Sequence, residues 1–335
     1  MTFTLADIFS ARTRIKGIAD HTPFIPSPFM SDFCGQEFLM KMENMQPVGA
    51  FKLRGAVSAV MALGDDVRGV TCCSTGNHGR AVTFAAKKRG IRAAVCMSSL
   101  VPKAKVDAIR ALGAEVRIIG TTQDEAMCES QRLCEAEGLV EISPFDDPLV
   151  IGGQGTIGLE MLEVCPDLET ILVPLSGGGL AAGVATAAKA INPDIRVIGI
   201  TMDRGAAMYE SVKANTPVQI PEFSSLADSL GGGIGLHNRL SFPICRDLLD
   251  DYILVTEDEI RRAMQVMFYE DRIVAEGASA VGIAAVLAGK VPVLNGPVAT
   301  IITGRNLDMP TFARIMMGQD VTIGELQVKG VAYDA

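Results

Sequence analysis

Two short segments of this 335-residue chain carry residues that could act together on a small substrate. In the first, Lys52 stands between two large apolar residues, Phe51 and Leu53. In the second, Ser176–Leu180, which contains three consecutive glycines, directly follows the apolar run Thr170–Leu175. Glycines between a strand and a helix direct backbone N–H groups and the positive end of the helix at one point, a common phosphate site. An amine nucleophile beside a phosphate cradle predicts a pyridoxal phosphate enzyme in which Lys52 forms the Schiff base.

A third segment, Ser74–His78, has the same strand–turn–helix context. It follows the apolar run Gly69–Cys73 and precedes the helical pattern of Ala81–Ala86. Polar groups at the carboxyl end of a strand are where ligands bind in open α/β sheets. We therefore expect this segment to border the same site as Lys52, although His78 could equally pack only against its own loop.

In this order, the three segments resemble those of the fold type II pyridoxal phosphate enzymes, specifically the threonine dehydratase and serine racemase family. The likeness extends from Thr22 to about Asp308. It implies a two-domain, tryptophan-synthase-beta-like α/β fold, with parallel sheets and helices on both faces. Residues 46–145 would form a small inserted α/β domain. Residues 1–45 and 146–335 would form the large cofactor-binding domain, with the cofactor between the two.

The resemblance also implies roles for single residues. Lys52 would be the catalytic lysine, assisted by Thr75, at whose position the racemases carry a serine. Burial between apolar neighbours and the nearby cation Arg54 would lower the pKa of Lys52. The substrate-binding residues would be Ser74, Thr75, Gly76, Asn77 and His78. The cofactor-binding residues would be Lys52, Phe51, Asn77, Ser176, Gly177, Gly178, Gly179, Leu180, Glu276 and Thr303.

Thr303 follows the apolar run Val298–Ile302, at a position where the family has a serine, cysteine or threonine that hydrogen-bonds the pyridine nitrogen. A neutral hydroxyl would leave that nitrogen largely unprotonated, which suits elimination better than transamination. From its residue type alone, Thr303 could also be a strand-end cap, and Glu276 a solvated charge at a helix start. Arg305 stands where many relatives have glycine.

Other departures narrow the expected chemistry. Metal-binding relatives carry carboxylates where Thr201 and Ala207 stand, so we expect no divalent cation site. The racemases place an asparagine at Phe145, and this departure favours a dehydratase. The run Ala227–Gly235 departs from the usual Ala-Asp-Gly of the family from Ser229 onwards, which predicts a reshaped substrate pocket.

Three runs are most similar to the hydroxyectoine-utilisation dehydratases, a branch tied to breakdown of a hydroxylated compatible solute: Asp203–Met208, Ala227–Gly235 and Glu276–Ala278. We therefore predict β-elimination from a 3-hydroxy amino acid in hydroxyectoine catabolism. The alternatives are an L-threonine or L-serine dehydratase and a serine-type amino-acid racemase. A non-catalytic regulator would not need Lys52, Asn77 and Thr303. A nicotinamide dehydrogenase is disfavoured because no G-x-G-x-x-G follows the first strand.

Composition restricts the partners and the compartment. The chain is 48% hydrophobic without an apolar run long enough for a bilayer, and no secretion signal is visible at its start. Its net charge of −9 disfavours nucleic acid and anionic membranes as partners. Eight cysteines without a C-x-x-C pair predict reduced thiols in the cytoplasm. The expected partner is a small amino-acid substrate, and the family resemblance implies a homodimer.

Overall fold

The computed structural model describes residues 3–74, 76–101 and 103–334. The strands are β1 (Phe24–Pro26), β2 (Phe38–Lys41), β3 (Gly69–Cys72), β4 (Arg92–Met97), β5 (Glu115–Ile118), β6 (Val140–Glu141), β7 (Thr170–Pro174), β8 (Arg196–Met202), β9 (Asp251–Val255), β10 (Val298–Ile301), β11 (Val321–Ile323) and β12 (Leu326–Val328). The helices are α1 (Leu5–Ile15), α2 (Pro28–Cys34), α3 (Lys52–Met61), α4 (Asn77–Arg89), α5 (Lys103–Ala111), α6 (Gln123–Glu137), α7 (Pro148–Val164), α8 (Gly179–Ile191), α9 (Ala207–Ala214), α10 (Ser241–Leu248), α11 (Glu257–Tyr269), α12 (Gly277–Leu287) and α13 (Met309–Met316).

The larger sheet has six strands in the order β1-β2-β10-β7-β8-β9. All neighbours in it are parallel except β1, which runs antiparallel to β2. Alternate residues of β7 face opposite sides: Ile171 and Val173 pack with α7 and α8, whereas Leu172 packs with α11 and α12. Burial on both faces explains why this strand is continuously apolar. The predicted parallel α/β architecture is confirmed.

The smaller sheet has four parallel strands in the order β5-β4-β3-β6. It covers residues 69–141, inside the segment predicted as an inserted domain. Helix α3 packs against both α4 and α7, so it joins the two sheets. The domain limits at residues 46 and 145 stay a prediction. Among the described residues, no helix is long and apolar enough to cross a membrane.

Helix α7 begins earlier than its sequence indicates. The pattern predicts a helix over 155–164, but the helix starts at Pro148, where the Asp147 side chain accepts hydrogen bonds from two backbone N–H groups. The glycines in this stretch lower helix propensity and conceal its first turns. Gly153 is required because α3 lies very close: a Cβ on Gly153 would stand 2.5 Å from the carbonyl oxygen of Arg54.

The chain end folds back as a hairpin. Strands β11 and β12 pair antiparallel, and their residues Val321, Leu326 and Val328 are buried in the same apolar cluster as α11 and α12. Each strand has only three residues, which is too short for an alternating pattern to be visible in the sequence. The hairpin also holds the loop around residue 224, since Glu325 accepts hydrogen bonds from the backbone N–H and hydroxyl of Ser224.

Candidate active site

Lys52 is the first residue of α3, and its side chain is half-buried. Its Nζ lies 2.7 Å from the carbonyl oxygen of Pro144, to which it donates a hydrogen bond. Burial lowers the pKa of Lys52 to about 8. An amine with this pKa is deprotonated in a useful fraction of molecules near neutral pH, as a nucleophile or base requires.

The expected contribution of Arg54 to that pKa is wrong. Burial alone lowers the pKa of Lys52, because the charge of Arg54 is balanced within its own ion cluster. The Arg54 guanidinium donates to Glu43 over 2.7 and 2.8 Å and to Glu160 over 2.6 and 2.8 Å. Lys41 reaches the same Glu160 carboxylate at 2.5 Å. All four side chains are buried, and a lysine inside the apolar strand β2 was the available sequence signal.

The glycine segment Gly177–Gly179 forms a tight turn between β7 and α8. Gly178 has a φ of +88°, which favours glycine, and a Cβ on Gly177 would stand 2.3 Å from Cδ1 of Phe145. Leu180 is buried, and Ser176 is half-buried. Within the described ranges, no protein group accepts from the backbone N–H groups of 177–180. Free amides at the positive end of a 13-residue helix fit a phosphate.

Asn77 and Glu276 meet although 199 residues separate them. Asn77 begins α4 and its Nδ2 lies 3.1 Å from both carboxylate oxygens of Glu276, the N-cap residue of α12. The carboxylate also accepts from the hydroxyl of Ser229 and the backbone N–H of Asn306, each over 2.7 Å. Glu276 is only 4% exposed, so it is not a solvated helix-start charge. Burial raises its pKa, while these neutral donors oppose that rise.

Asn306 is a residue that sequence reasoning missed. Its Nδ2 donates to Oδ1 of Asn77 over 2.7 Å and to the carbonyl of Val48 over 2.9 Å. Because Oδ1 of Asn77 is thereby occupied, the Nδ2 group of Asn77 is turned towards Glu276. Asn306 therefore sets the orientation of the Asn77 amide.

Thr303 lies two residues after the end of β10 and is buried. Its hydroxyl is 3.0 Å from that of Ser279, and its carbonyl accepts from the backbone N–H of Phe51 over 3.0 Å. The backbone N–H of Arg305 donates to Gly49 in the same way, and the Arg305 side chain is exposed. The loop after β10 therefore lies alongside the segment that leads to Lys52. The contact of Thr303 with a pyridine nitrogen stays a prediction.

The residues of segment 74–78 differ in their burial and in their contacts. His78 is buried, and its Nε2 lies 2.8 Å from the carbonyl of Ile142. Burial, together with the charge of Lys52, lowers the pKa of His78 to about 3, so its ring is neutral and Nε2–H donates. This bond supports the packing interpretation of His78. Ser74 is half-buried and Gly76 is exposed, whereas Thr75 lies outside the described residues.

Thr201 and Ala207 stand at the two positions where the family resemblance places carboxylates in metal-binding relatives. Thr201 lies in β8 and Ala207 begins α9, and both are buried. Among the described residues, no group of three or more His, Cys, Asp or Glu could hold a metal ion. The expected independence from a divalent cation stays a prediction.

Comparison with known proteins places the chain in a family. The family model described as "Pyridoxal-phosphate dependent enzyme" matches residues 15–304. The chain is 50% identical to a provisionally named threonine dehydratase of Sinorhizobium fredii, over 94% of this chain and 96% of that protein. It is 38% identical to the catabolic L-threonine dehydratase of Escherichia coli, over 92% and 94% of the two chains.

The fold is similar to that of maize serine racemase. The two structures give a TM-score of 0.89 at 34% identity, over 94% of this chain and 97% of the racemase. This similarity confirms the fold type II architecture. The half-buried amine of Lys52 and the free amides of the glycine turn also fit the cofactor that the family model names. The chain therefore belongs to the pyridoxal-phosphate dependent enzyme family, and pyridoxal phosphate is its cofactor.

Proposed function

We propose that this protein is a threonine dehydratase-like lyase that removes water from a 3-hydroxy amino acid and releases ammonia. The observation that carries the proposal is the amine of Lys52, which has a lowered pKa and lies against the Pro144 carbonyl. Phe145, next in the chain, packs on the glycine turn. An amine and an anion cradle joined through adjacent residues are what a pyridoxal phosphate lyase requires.

The cofactor, when bound, stabilises negative charge at the substrate Cα. Lys52 would hold the cofactor and, once displaced by the substrate amine, take the Cα proton on Nζ. The electron pair of that C–H bond would then form the Cα–Cβ double bond as the Cβ–O bond breaks, and the β-hydroxyl would leave as water with a proton from Nζ of Lys52. The released enamine tautomerises and takes up water, giving a keto acid and ammonia.

We further propose that the substrate is a 3-hydroxylated diaminobutyrate derivative from hydroxyectoine breakdown. The run Gly231–Gly233 lies close to the site, since Ser229 donates to Glu276. A Cβ on the exposed Gly233 would meet no atom closer than 4.0 Å, so this run leaves room for a larger group. A Cβ on Gly232 would stand 3.8 Å from a carboxylate oxygen of Glu222. That carboxylate is exposed and would attract a positively charged substrate group.

A serine-type racemase is the second candidate, and the similarity to maize serine racemase favours it. Both reactions begin with loss of the Cα proton, and they differ in whether the proton returns or the hydroxyl leaves. Phe145, where the racemases have asparagine, supports elimination. The homodimer and the cytoplasmic location implied by the resemblance also stay predictions.

Substrate choice is tested by comparing L-threonine, L-serine, 3-hydroxyaspartate and the hydroxyectoine-derived amino acid. Ammonia release and exchange of the α-proton with deuterium are measured in parallel. We expect ammonia release to exceed exchange, with the highest kcat/KM on the hydroxyectoine-derived compound. Efficient turnover of L-threonine alone would make the protein an ordinary threonine dehydratase. Exchange without ammonia would make it a racemase.

The role of Lys52 has a separate test. Borohydride reduction of the protein loaded with pyridoxal phosphate, followed by peptide mapping, should place the cofactor on Lys52. Loading of stripped protein should accelerate as the pH rises through about 8, where the amine loses its proton. Lys52→Ala should abolish both labelling and activity, whereas Lys87→Ala, which removes an exposed lysine, should change neither. A label on another lysine would contradict the assignment.

A further inference from the structure

Two side chains of helix α10 contact backbone carbonyl groups of the glycine turn. The hydroxyl of Ser241, its first residue, donates to the carbonyl oxygen of Gly177 over 2.6 Å. One helical turn later, the thiol of Cys245 lies 3.5 Å from the carbonyl oxygen of Gly178. Both side chains are fully buried. Burial raises the pKa of the Cys245 thiol, so the thiol keeps its proton and can donate.

The carbonyl of Gly177 belongs to the same peptide unit as the N–H of Gly178. No peptide bond in the described chain is cis, so the two groups point in opposite directions. Fixing the Gly177 carbonyl towards α10 therefore turns the N–H of Gly178 away from α10. The carbonyl of Gly178 is held twice, by Cys245 and by the backbone N–H of Ala182 over 2.7 Å. The Gly177 carbonyl depends more strongly on its one hydroxyl donor, Ser241.

The proton of the Ser241 hydroxyl has a defined position. Nδ2 of Asn238 donates to the Ser241 oxygen over 2.8 Å and so occupies one of its acceptor sites. The hydroxyl has a single proton, and the nearby acceptor for it is the carbonyl of Gly177. The direction of this hydrogen bond is therefore set by the chain itself.

Asp146 connects the start of α10 to the segment that contacts Lys52. This carboxylate accepts from the backbone N–H groups of Arg239, Leu240 and Ser241 over 2.8 to 2.9 Å. Asp146 stands two residues after Pro144, whose carbonyl accepts from Lys52. One short segment thus fixes both the position of Ser241 and a partner of the catalytic amine.

We propose that Ser241 is a positioning residue for the phosphate of the cofactor: it orients the Gly177–Gly178 peptide so that the N–H of Gly178 faces the phosphate dianion. The proposal rests on Gly177–Leu180 being the phosphate cradle. It does not depend on which amino acid the enzyme converts, because the test measures cofactor binding without substrate.

The test compares binding of pyridoxal phosphate and of pyridoxal, which lacks the phosphate, to stripped protein by absorbance titration. Loss of one oriented hydrogen bond corresponds to about 1.4 kcal/mol, or a tenfold change in Kd. Ser241→Ala should raise the Kd for pyridoxal phosphate about tenfold and leave the Kd for pyridoxal within about twofold. The control Ser130→Ala removes an equally buried hydroxyl, paired with Thr71 in the small sheet, and should change neither Kd.

A second pair of variants separates the hydroxyl from packing. Ser241→Thr and Ser241→Val have the same shape, and only the threonine keeps a hydroxyl. We expect the valine variant to bind pyridoxal phosphate about tenfold more weakly than the threonine variant, with equal binding of pyridoxal. Equal weakening of both ligands would show that Ser241 only supports the fold. Wild-type protein that binds both ligands equally would overturn the phosphate cradle itself.

Discussion

Two buried carboxylate clusters of this molecule balance their charge in different ways. Glu160 lies in the ion cluster behind α3, where it meets the cations Arg54 and Lys41. Glu276 lies at the candidate site, where its partners are neutral: the Asn77 amide, the Ser229 hydroxyl and a backbone N–H. Burial opposes ionisation of both. The two cations still hold the pKa of Glu160 below its ordinary value, whereas the pKa of Glu276 is raised.

This difference in partners suggests that Glu160 stabilises the fold and that Glu276 takes part in the activity. A carboxylate paired with two cations stays ionised over the working pH range, and through Arg54 it holds α3 against α7. A buried carboxylate with neutral donors lies closer to a change of protonation and can respond when a charged ligand arrives beside it. We therefore expect substitution of Glu160 to alter stability and substitution of Glu276 to alter activity.

The largest expected effect is that of Glu160→Gln on stability. Removing one partner leaves buried cations uncompensated, which costs about 3–5 kcal/mol. The pKa of Glu160 is lower in the folded than in the unfolded protein. The stabilisation of the folded protein by ionised Glu160 is therefore fully present above pH 4.5, its ordinary pKa. It is lost as the pH falls through the lowered pKa of the folded state. Urea unfolding of the stripped protein at pH 7.5 and pH 4 measures this.

The control is Glu163→Gln on the same helix, where the exposed carboxylate pairs with Arg12. It should cost less than about 1 kcal/mol. Glu160→Gln should leave kcat per folded molecule within about threefold, since the Lys52 amine keeps its own contacts. A Glu160 variant with normal stability but low kcat would contradict the conclusion that Glu160 acts on stability and Glu276 on activity.

Glu276→Gln should lower kcat by about 100-fold while changing stability by less than about 1 kcal/mol. The glutamine amide places a donor against the donors Asn77 and Ser229. It also removes a charge whose burial is unfavourable, and these two effects offset each other in stability. Because the pKa of Glu276 is raised on folding, that charge destabilises the native state only above the ordinary value of 4.5. Any gain in the stability of Glu276→Gln over wild type should therefore vanish below about pH 4.5, and urea unfolding at several pH values would show this. Normal kcat with a large stability loss would give Glu276 a structural role.

The three chemical segments could be predicted from sequence because their signals are local. A glycine turn after an apolar run and a lysine between apolar residues are visible within a few positions. The partners that orient them are not: Arg54 meets Glu160 across 106 residues, and Asn306 meets Asn77 across 229. Such pairs arise only when the sheets assemble, so neither Asn306 nor the partners of Arg54 could be recognised from the sequence. Lys41 in an apolar strand was the one hint.

Asn306→Asp should lower kcat by about tenfold, although the side chain keeps its size. An aspartate oxygen would attract the Nδ2 of Asn77, and the Asn77 oxygen would then face Glu276 and repel it. Asn306→Ala only removes the constraint, so it should impair the enzyme less than the aspartate does. Steady-state kinetics on both variants checks the order. Wild-type kcat for the aspartate variant would show that the Asn77 amide is oriented by something else.

The smallest expected effect is that of Ser229→Ala, which removes one neutral donor from Glu276. The lost hydrogen bond is worth about 1 kcal/mol, or about a fivefold decrease in kcat/KM. The Ser229 hydroxyl helps to keep the pKa of Glu276 down, so without it that pKa should rise further. The acidic limb of the kcat/KM profile should therefore move to higher pH if Glu276 must be ionised. Ser224→Ala is the matched control, because its hydroxyl donates to Glu325 outside the site. A shifted limb in the Ser229 variant alone would assign that ionisation to Glu276, whereas identical profiles for wild type and both variants would remove Glu276 from it.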